Sequence, residues 1–180
     1  LNLEGDENGF IGRPYNDELV SEFKVATMDN TYFALSTLNL FIDDWAVYGF
    51  YLNRIVPFIN SLQSISGYDW FFGSFLNDNN FTLDTLGSPL FEPNLLSSYY
   101  AVKSLKILNL VDTIRIHDFH TFLNTIYDEQ EFKFQANDIS NALDIVATPI
   151  GLELSNITGF FNFSRTEALQ FVMNNRNTLG

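Results

Sequence analysis

Two parts of the sequence repeat each other at a spacing that few architectures allow. Residues 31–38 align with residues 98–105 at an offset of 67, and residues 58–62 align with residues 122–126 at an offset of 64. Common helical solenoids repeat at about 34 to 47 residues, which is too short a period for this chain. The longer period requires a helix pair with a long connection, here the glycine- and aromatic-rich stretch 67–73.

Each copy places apolar residues at helical spacing, and residues 171–175 form a weaker third copy of the second element. One apolar stripe consists of Ala34, Leu35, Leu38, Phe41 and Ile42, and another of Ile116, Phe119, Leu123 and Ile126. The pattern predicts six helices, near 29–43, 53–65, 96–110, 115–128, 139–154 and 164–176.

Local signals support the helix starts. Asp29 or Asn30 is expected to cap the first helix, and Ser164 followed by Glu167 has the form of a capping box for the last. Pro57 and Pro149 fall inside predicted helices, where proline removes a backbone donor and usually ends or kinks the helix.

The composition fits one folded, all-α domain over residues 1–180. Hydrophobic residues make up 46% of the chain and charged residues 17%, the opposite of a disordered composition. The expected organisation is about three α-hairpin repeats, near 1–66, 67–135 and 136–180. Because the chain starts without Met and ends soon after the last predicted helix, we expect a fragment of a larger protein.

The charge balance excludes several partners. Asp and Glu number 22 against nine Lys and Arg, for a formal net charge of −13. Such a surface is repelled by nucleic-acid backbones and anionic membranes, so no nucleic-acid partner is expected. No apolar run is long enough to predict a membrane span. The chain has no Cys, which excludes disulfides and thiolate metal sites, and no compartment is predicted.

Several motifs resemble the prenyltransferase and squalene-cyclase family of α/α-toroids. Residues 9–14 resemble the Gly-Phe-x-Gly-Arg-Pro loop of protein prenyltransferase β subunits. Gln63, Gly67 and Trp70 resemble the Gln-Trp motif of terpene cyclases, with Trp one residue late, and the helix starts at residues 32 and 99 are also similar to the family. The resemblance implies half of a toroid, whose ring another protein chain or a second copy would complete.

Neither catalytic apparatus of the family is present. In protein prenyltransferases the resemblance implies a zinc ion held by Asp, Cys and a later His. Asp29 takes the Asp position, but Thr31 takes the Cys position, and a threonine hydroxyl is a poor zinc ligand. The Asp-x-Asp-Asp acid of terpene cyclases has only Asp43 and Asp44 as a partial counterpart, which we expect to be a solvated pair. No catalytic residue and no cofactor is therefore predicted.

The two histidines are the remaining metal candidates besides Asp29. His117 and His120 lie three residues apart, so they share a helix face from which both imidazoles reach one metal. No third ligand is identifiable beside them, and a structural role for His120, one turn from Ile116, is favoured over a metal site.

Aromatic residues near the starts of two predicted helices are candidates for lining a lipid cavity, although such stripes are more often ordinary core. These residues are Tyr32, Phe33, Tyr99 and Tyr100. The cations that would hold the diphosphate of an isoprenoid are Arg13, Arg54 and Lys103.

Two functions remain open. The first is a non-catalytic binding or structural module on a prenyltransferase-like scaffold, with an exposed apolar edge that pairs with another protein chain or a second copy. The alternative is an isoprenoid- or lipid-handling protein, or the incomplete half of a prenyltransferase or terpene cyclase. The missing zinc thiolate and acid cluster favour the first.

Overall fold

The computed structural model describes residues 8–12, 18, 24–65, 70–79, 93–136 and 144–175. These residues contain six α-helices, Met28–Leu38 (α1), Gly49–Ser61 (α2), Leu95–Ile107 (α3), Ile116–Thr125 (α4), Asp144–Thr158 (α5) and Arg165–Asn174 (α6). Two short strands, Tyr127–Asp128 (β1) and Lys133–Phe134 (β2), pair antiparallel. Short 3-10 turns span Trp45–Tyr48 and Val111–Thr113. The predicted all-α class is confirmed.

Each predicted helix overlaps one observed helix, and Pro57 and Pro149 lie inside α2 and α5. The predicted first helix is too long. After Leu38 the amides of Leu40 and Phe41 bond to carbonyls three residues back, so the chain tightens into a turn and leaves the helical register. Phe41, expected on the apolar stripe, is therefore 80% exposed.

The helix caps differ from the expected ones. Thr27 is the N-cap residue of α1, while Asp29 lies in the first turn and accepts hydrogen bonds from the Asn30 amide (2.8 Å) and the Thr27 hydroxyl. Ser164 is the N-cap of α6 but makes no side-chain capping bond. The reciprocal capping box lies instead at the start of α3, between Asn94 and Ser97.

The first helix of each of the three pairs, α1, α3 and α5, packs beside the next to form a row, and we call these three the first helices. Helix α1 packs against α3 and α3 against α5, while α5 also contacts α4 and α6. A continuous apolar core lies beneath this row, in which the Phe75 and Phe119 rings meet edge to face at 6.1 Å. No helix of the described residues has the length and apolar character needed to cross a bilayer.

One hydrogen bond recurs at all three first helices. In each, a backbone amide of a preceding phenylalanine donates to a hydroxyl near the start of the helix: Phe10 to Thr31 Oγ1 (3.0 Å), Phe75 to Ser98 Oγ (3.0 Å) and Phe134 to Thr148 Oγ1 (3.1 Å). All three hydroxyl residues are completely buried. We refer to these bonds as the Phe–hydroxyl clamps. They extend the repeat to α5, where the sequence alignment did not detect a copy of the first helix.

The loops at the second and third clamps are also held by the preceding first helix. The Met28 amide of α1 donates to the Asn77 carbonyl (2.7 Å), and the Leu95 amide of α3 donates to the Ala136 carbonyl (3.0 Å). Each of these loops therefore bonds to groups near the starts of two neighbouring helices, α1 and α3 or α3 and α5. The starts of α1, α3 and α5 thus lie along one edge of the row. The predicted domain extent and repeat boundaries stay predictions.

Gln63 joins the end of α2 to the start of α4. Its side-chain oxygen accepts from the Arg115 amide (2.9 Å), and its nitrogen donates to the Arg115 carbonyl and the Gly73 carbonyl (3.1 Å each). Gly73 has φ +86°, and a Cβ there would lie 1.9 Å from the Asp118 carbonyl oxygen. The glycine is therefore required both by its backbone conformation and by the close approach of α4.

Candidate functional site

Four aromatic side chains meet where α1 packs against α3. The Tyr32 ring stacks on Tyr100 with centroids 5.2 Å apart, and Tyr99 lies edge-on to Tyr32 at 6.0 Å. Phe33 lies 5.6 Å from Tyr100. Residues that the repeat makes equivalent on the two helices thus become neighbours across the helix interface. We call this group of four residues the tyrosine surface.

The tyrosine surface is open to solvent. Phe33 is 56% exposed, and the three tyrosines are half-buried, so none of the four belongs to the buried core. Leu96, three and four residues before the tyrosines of α3, lies on the same helix face and is also exposed. Val146 holds the corresponding position on α5, two residues before its clamp hydroxyl, and is exposed as well. The row of first helices therefore presents a largely apolar face.

A charged pair borders this face. Lys103 Nζ lies 2.6 Å from Glu153 Oε1 and 5.5 Å from the centre of the Tyr99 ring. The hydrogen bond that Lys103 donates to Glu153 is the main reason that the pKa of Lys103 is raised. Burial, and next the charge of Glu153, raises the pKa of Tyr99. Burial and the charge of Asp29 do the same for the pKa of Tyr100, so both phenols are neutral at pH 7.

The two described side chains that were predicted to bind a diphosphate, Lys103 and Arg54, have separate partners and share no contact among those described. Lys103 is engaged by Glu153 and Tyr99, whereas Arg54 donates to Asn8 Oδ1 (2.8 Å) and lies 5.6 Å from the centre of the Phe50 ring. The third candidate, Arg13, lies outside the described residues.

The histidines occupy a different part of the molecule. His117 is exposed, and His120 is half-buried with Nε2 3.0 Å from the Thr158 carbonyl and its ring 5.4 Å from that of Phe160. Both line a shallow depression of about 450 Å³ between α4 and the loop after α5. Its other lining residues are Thr121, Asn124, Thr125, Gly159, Phe160, Phe161 and Asn162, none of which is charged.

Within the described ranges, no three His, Asp or Glu side chains are placed to hold a metal ion together. Asp29 is bonded within the first turn of α1 and is not joined to the histidines of α4. Asp44 accepts a hydrogen bond from the Ala46 amide (2.9 Å) and so caps the 3-10 turn, while Asp43 is exposed beside it.

A second apolar feature was not predicted. A groove of about 110 Å³, which we call the Trp45 groove, is lined by Phe10, Leu38, Ile42, Trp45, Tyr48, Tyr51 and Ile55. The available signal was the density of large apolar residues in 40–50, which continues past the end of α1.

Comparison of the chain with protein-family models, with curated proteins and with solved structures finds no match.

Proposed function

We propose that the chain is a non-catalytic binding module that uses the tyrosine surface to bind another protein chain. The observation that carries the proposal is the clustering of four aromatic rings, open to solvent, beside the Lys103–Glu153 pair. Protein interfaces combine an aromatic, apolar centre with a polar rim, and tyrosine is enriched among the residues that contribute most of the binding energy.

The absence of catalysis is supported by the role of Thr31. This residue takes the position at which the resemblance to prenyltransferases implies the zinc-bound Cys. Its side chain is completely buried, and its hydroxyl accepts the Phe10 amide. A side chain in this position holds a loop in place and faces away from solvent, so it is unsuited to bind a catalytic metal.

For the architecture, we propose half of an α/α-toroid in which α1, α3 and α5 form the inner layer. The row of first helices, their common starting edge and the recurring Phe–hydroxyl clamps support this assignment. A second copy or another chain would complete the ring and, in doing so, would pack against the tyrosine surface on the inner side of the row.

One observation favours the alternative of an isoprenoid- or lipid-handling protein. In a completed ring the aromatic side chains would line a cavity, and Lys103 lies at its border. Its pairing with Glu153 weighs against a diphosphate, because a carboxylate at 2.6 Å competes for the same charge.

Native mass spectrometry and sedimentation velocity of the purified chain test both readings. We expect a protein-only assembly at a multiple of 20.6 kDa if a second copy is the partner. Phe33→Ser should dissociate it, whereas Phe161→Ser, a matched change at an exposed phenylalanine on the 159–163 loop, should not. A wild-type monomer would exclude a second copy as the partner. Bound zinc, a co-purifying lipid, or saturable farnesol binding that Phe33→Ser abolishes would contradict the non-catalytic protein-binding proposal.

A further inference from the structure

The segment between α1 and α2 exposes an unusual amount of apolar surface. Leu40, Phe41, Val47 and Phe50 are 78%, 80%, 73% and 68% exposed. Single exposed apolar residues are common, but four large ones between the end of α1 and the second residue of α2 are a concentration that favours an interaction site.

The Trp45 groove adjoins this segment, which supplies three of its lining residues, Ile42, Trp45 and Tyr48, and the groove is already formed. Trp45 is buried, and its indole nitrogen donates to Asn39 Oδ1 (2.9 Å), which fixes the ring. Tyr48 lies edge-on to Trp45 at 6.3 Å and tilted against Tyr51 at 6.5 Å. The described lining of the groove is entirely aliphatic or aromatic and shares no residue with the tyrosine surface. Such a groove accepts an apolar side chain at little reorganisation cost.

Charge indicates which kind of partner fits. Asp43 and Asp44 are both exposed and stand directly between Ile42 and Trp45, two residues that line the groove. Among the described residues, the ion pairs of the structure involve neither carboxylate. A second copy would bring the same two carboxylates and its own net charge of −13, and an anionic membrane is repelled in the same way.

We propose that the Trp45 groove binds a basic amphipathic segment of a partner protein. The segment inserts one apolar side chain into the groove, against the rings of Trp45 and Tyr48, and places Lys or Arg against Asp43 and Asp44. This surface is independent of whatever occupies the tyrosine surface. Apolar contact supplies most of the affinity, and the carboxylates select for positive charge.

The test uses Trp45 as a reporter inside the groove. The chain has two tryptophans, so Trp70→Phe leaves Trp45 as the only one. A synthetic helical peptide with Leu at every third or fourth position and Lys elsewhere is titrated into this variant. Intrinsic fluorescence reports Trp45, and a peptide with Glu in place of Lys is the control. We expect a saturable change in Trp45 emission with the Lys peptide and none with the Glu peptide.

Two variants, each with a matched control, locate the contact. Asp43→Lys should weaken binding about fivefold, while Asp112→Lys, the same charge change on the 111–113 turn, should leave it unchanged. Val47→Ser removes an exposed apolar side chain next to the groove residue Tyr48 and should weaken binding about tenfold, whereas Leu169→Ser at an exposed site on α6 should have no effect.

The proposal is overturned if the Lys peptide does not bind. Equal weakening by the two charge variants would also overturn it, because it would show attraction to the overall charge only. The proposal fails too if the chain self-associates through the groove, which sedimentation of wild type and Val47→Ser would reveal.

Discussion

The Phe–hydroxyl clamps give a quantitative prediction about folding stability. Replacing Thr31 or Thr148 by Val keeps the shape of the side chain and removes its hydroxyl. Thr31→Val leaves the Phe10 amide without its 3.0 Å partner in a completely buried site. Thr148→Val removes the 3.1 Å bond from the Phe134 amide and the weaker 3.4 Å bond to the Phe134 carbonyl.

The magnitude follows from desolvation of the orphaned amide. A buried donor left unpaired costs about 1–3 kcal/mol, and Thr and Val differ little in intrinsic helix propensity. We therefore expect each variant to lose about 2 kcal/mol, with Thr148→Val at least as affected as Thr31→Val. For a chain of this size that lowers the Tm by about 4–8 °C.

Urea unfolding followed by circular dichroism measures the change directly. Thr37→Val is the matched control, because its exposed hydroxyl donates only to the Phe33 carbonyl of the same helix at 2.8 Å. The control should stay within about 0.5 kcal/mol of wild type. If Thr31→Val and Thr148→Val also stay within that margin, the clamps do not stabilise the fold and the reasoning is refuted.

Three further predictions follow from other contacts. Gly73→Ala should cost more than about 3 kcal/mol or abolish folding, because the new Cβ meets the Asp118 carbonyl at a positive φ; near-native urea unfolding would contradict this. Gln63→Leu should cost about 2–4 kcal/mol by leaving backbone groups of Arg115 unpaired, and native-like exchange protection at the start of α4 would argue against it. The pKa values of Tyr99 and Tyr100 are raised in the folded state, so stability is fully present below pH 10 and should fall as pH rises through their folded values. Absorbance at alkaline pH should show Tyr99→Phe removing a late-titrating phenol, and an unchanged titration curve would count against the shift.

The helices were predictable because their apolar spacing and their repetition agree. Both signals coincide in 31–38 and 98–105, which lie entirely within α1 and α3. Helix ends were less predictable, since they depend on single hydrogen bonds. At the end of α1 the amide of Phe41 bonds three residues back, and no periodic pattern encodes that change.

The sequence repeat did not reveal α5 as the third copy of the first helix, because the clamp constrains only one side chain of that helix. The clamp needs only a buried hydroxyl facing the Phe134 amide, which Thr148 supplies while the neighbouring residues differ from the earlier copies. The tyrosine surface could be named from the sequence, but not its exposure, because exposure depends on what packs against the face from other elements. The Trp45 groove combines Phe10 with residues of three later elements, so the apolar density of residues 40–50 indicates an apolar segment but not the groove itself.

The clamps hold each loop to its helix whatever the number of residues between the two bonded groups. The phenylalanine and its hydroxyl partner are 21, 23 and 14 residues apart in sequence, yet the three bonds have nearly the same length. The intervening segment is thus free to differ in size, since each doubling of a flexible loop costs only about 0.6 kcal/mol in closure entropy. A change in the number of residues between a phenylalanine and its hydroxyl partner should therefore leave the helical row undisturbed as long as the clamp itself is kept.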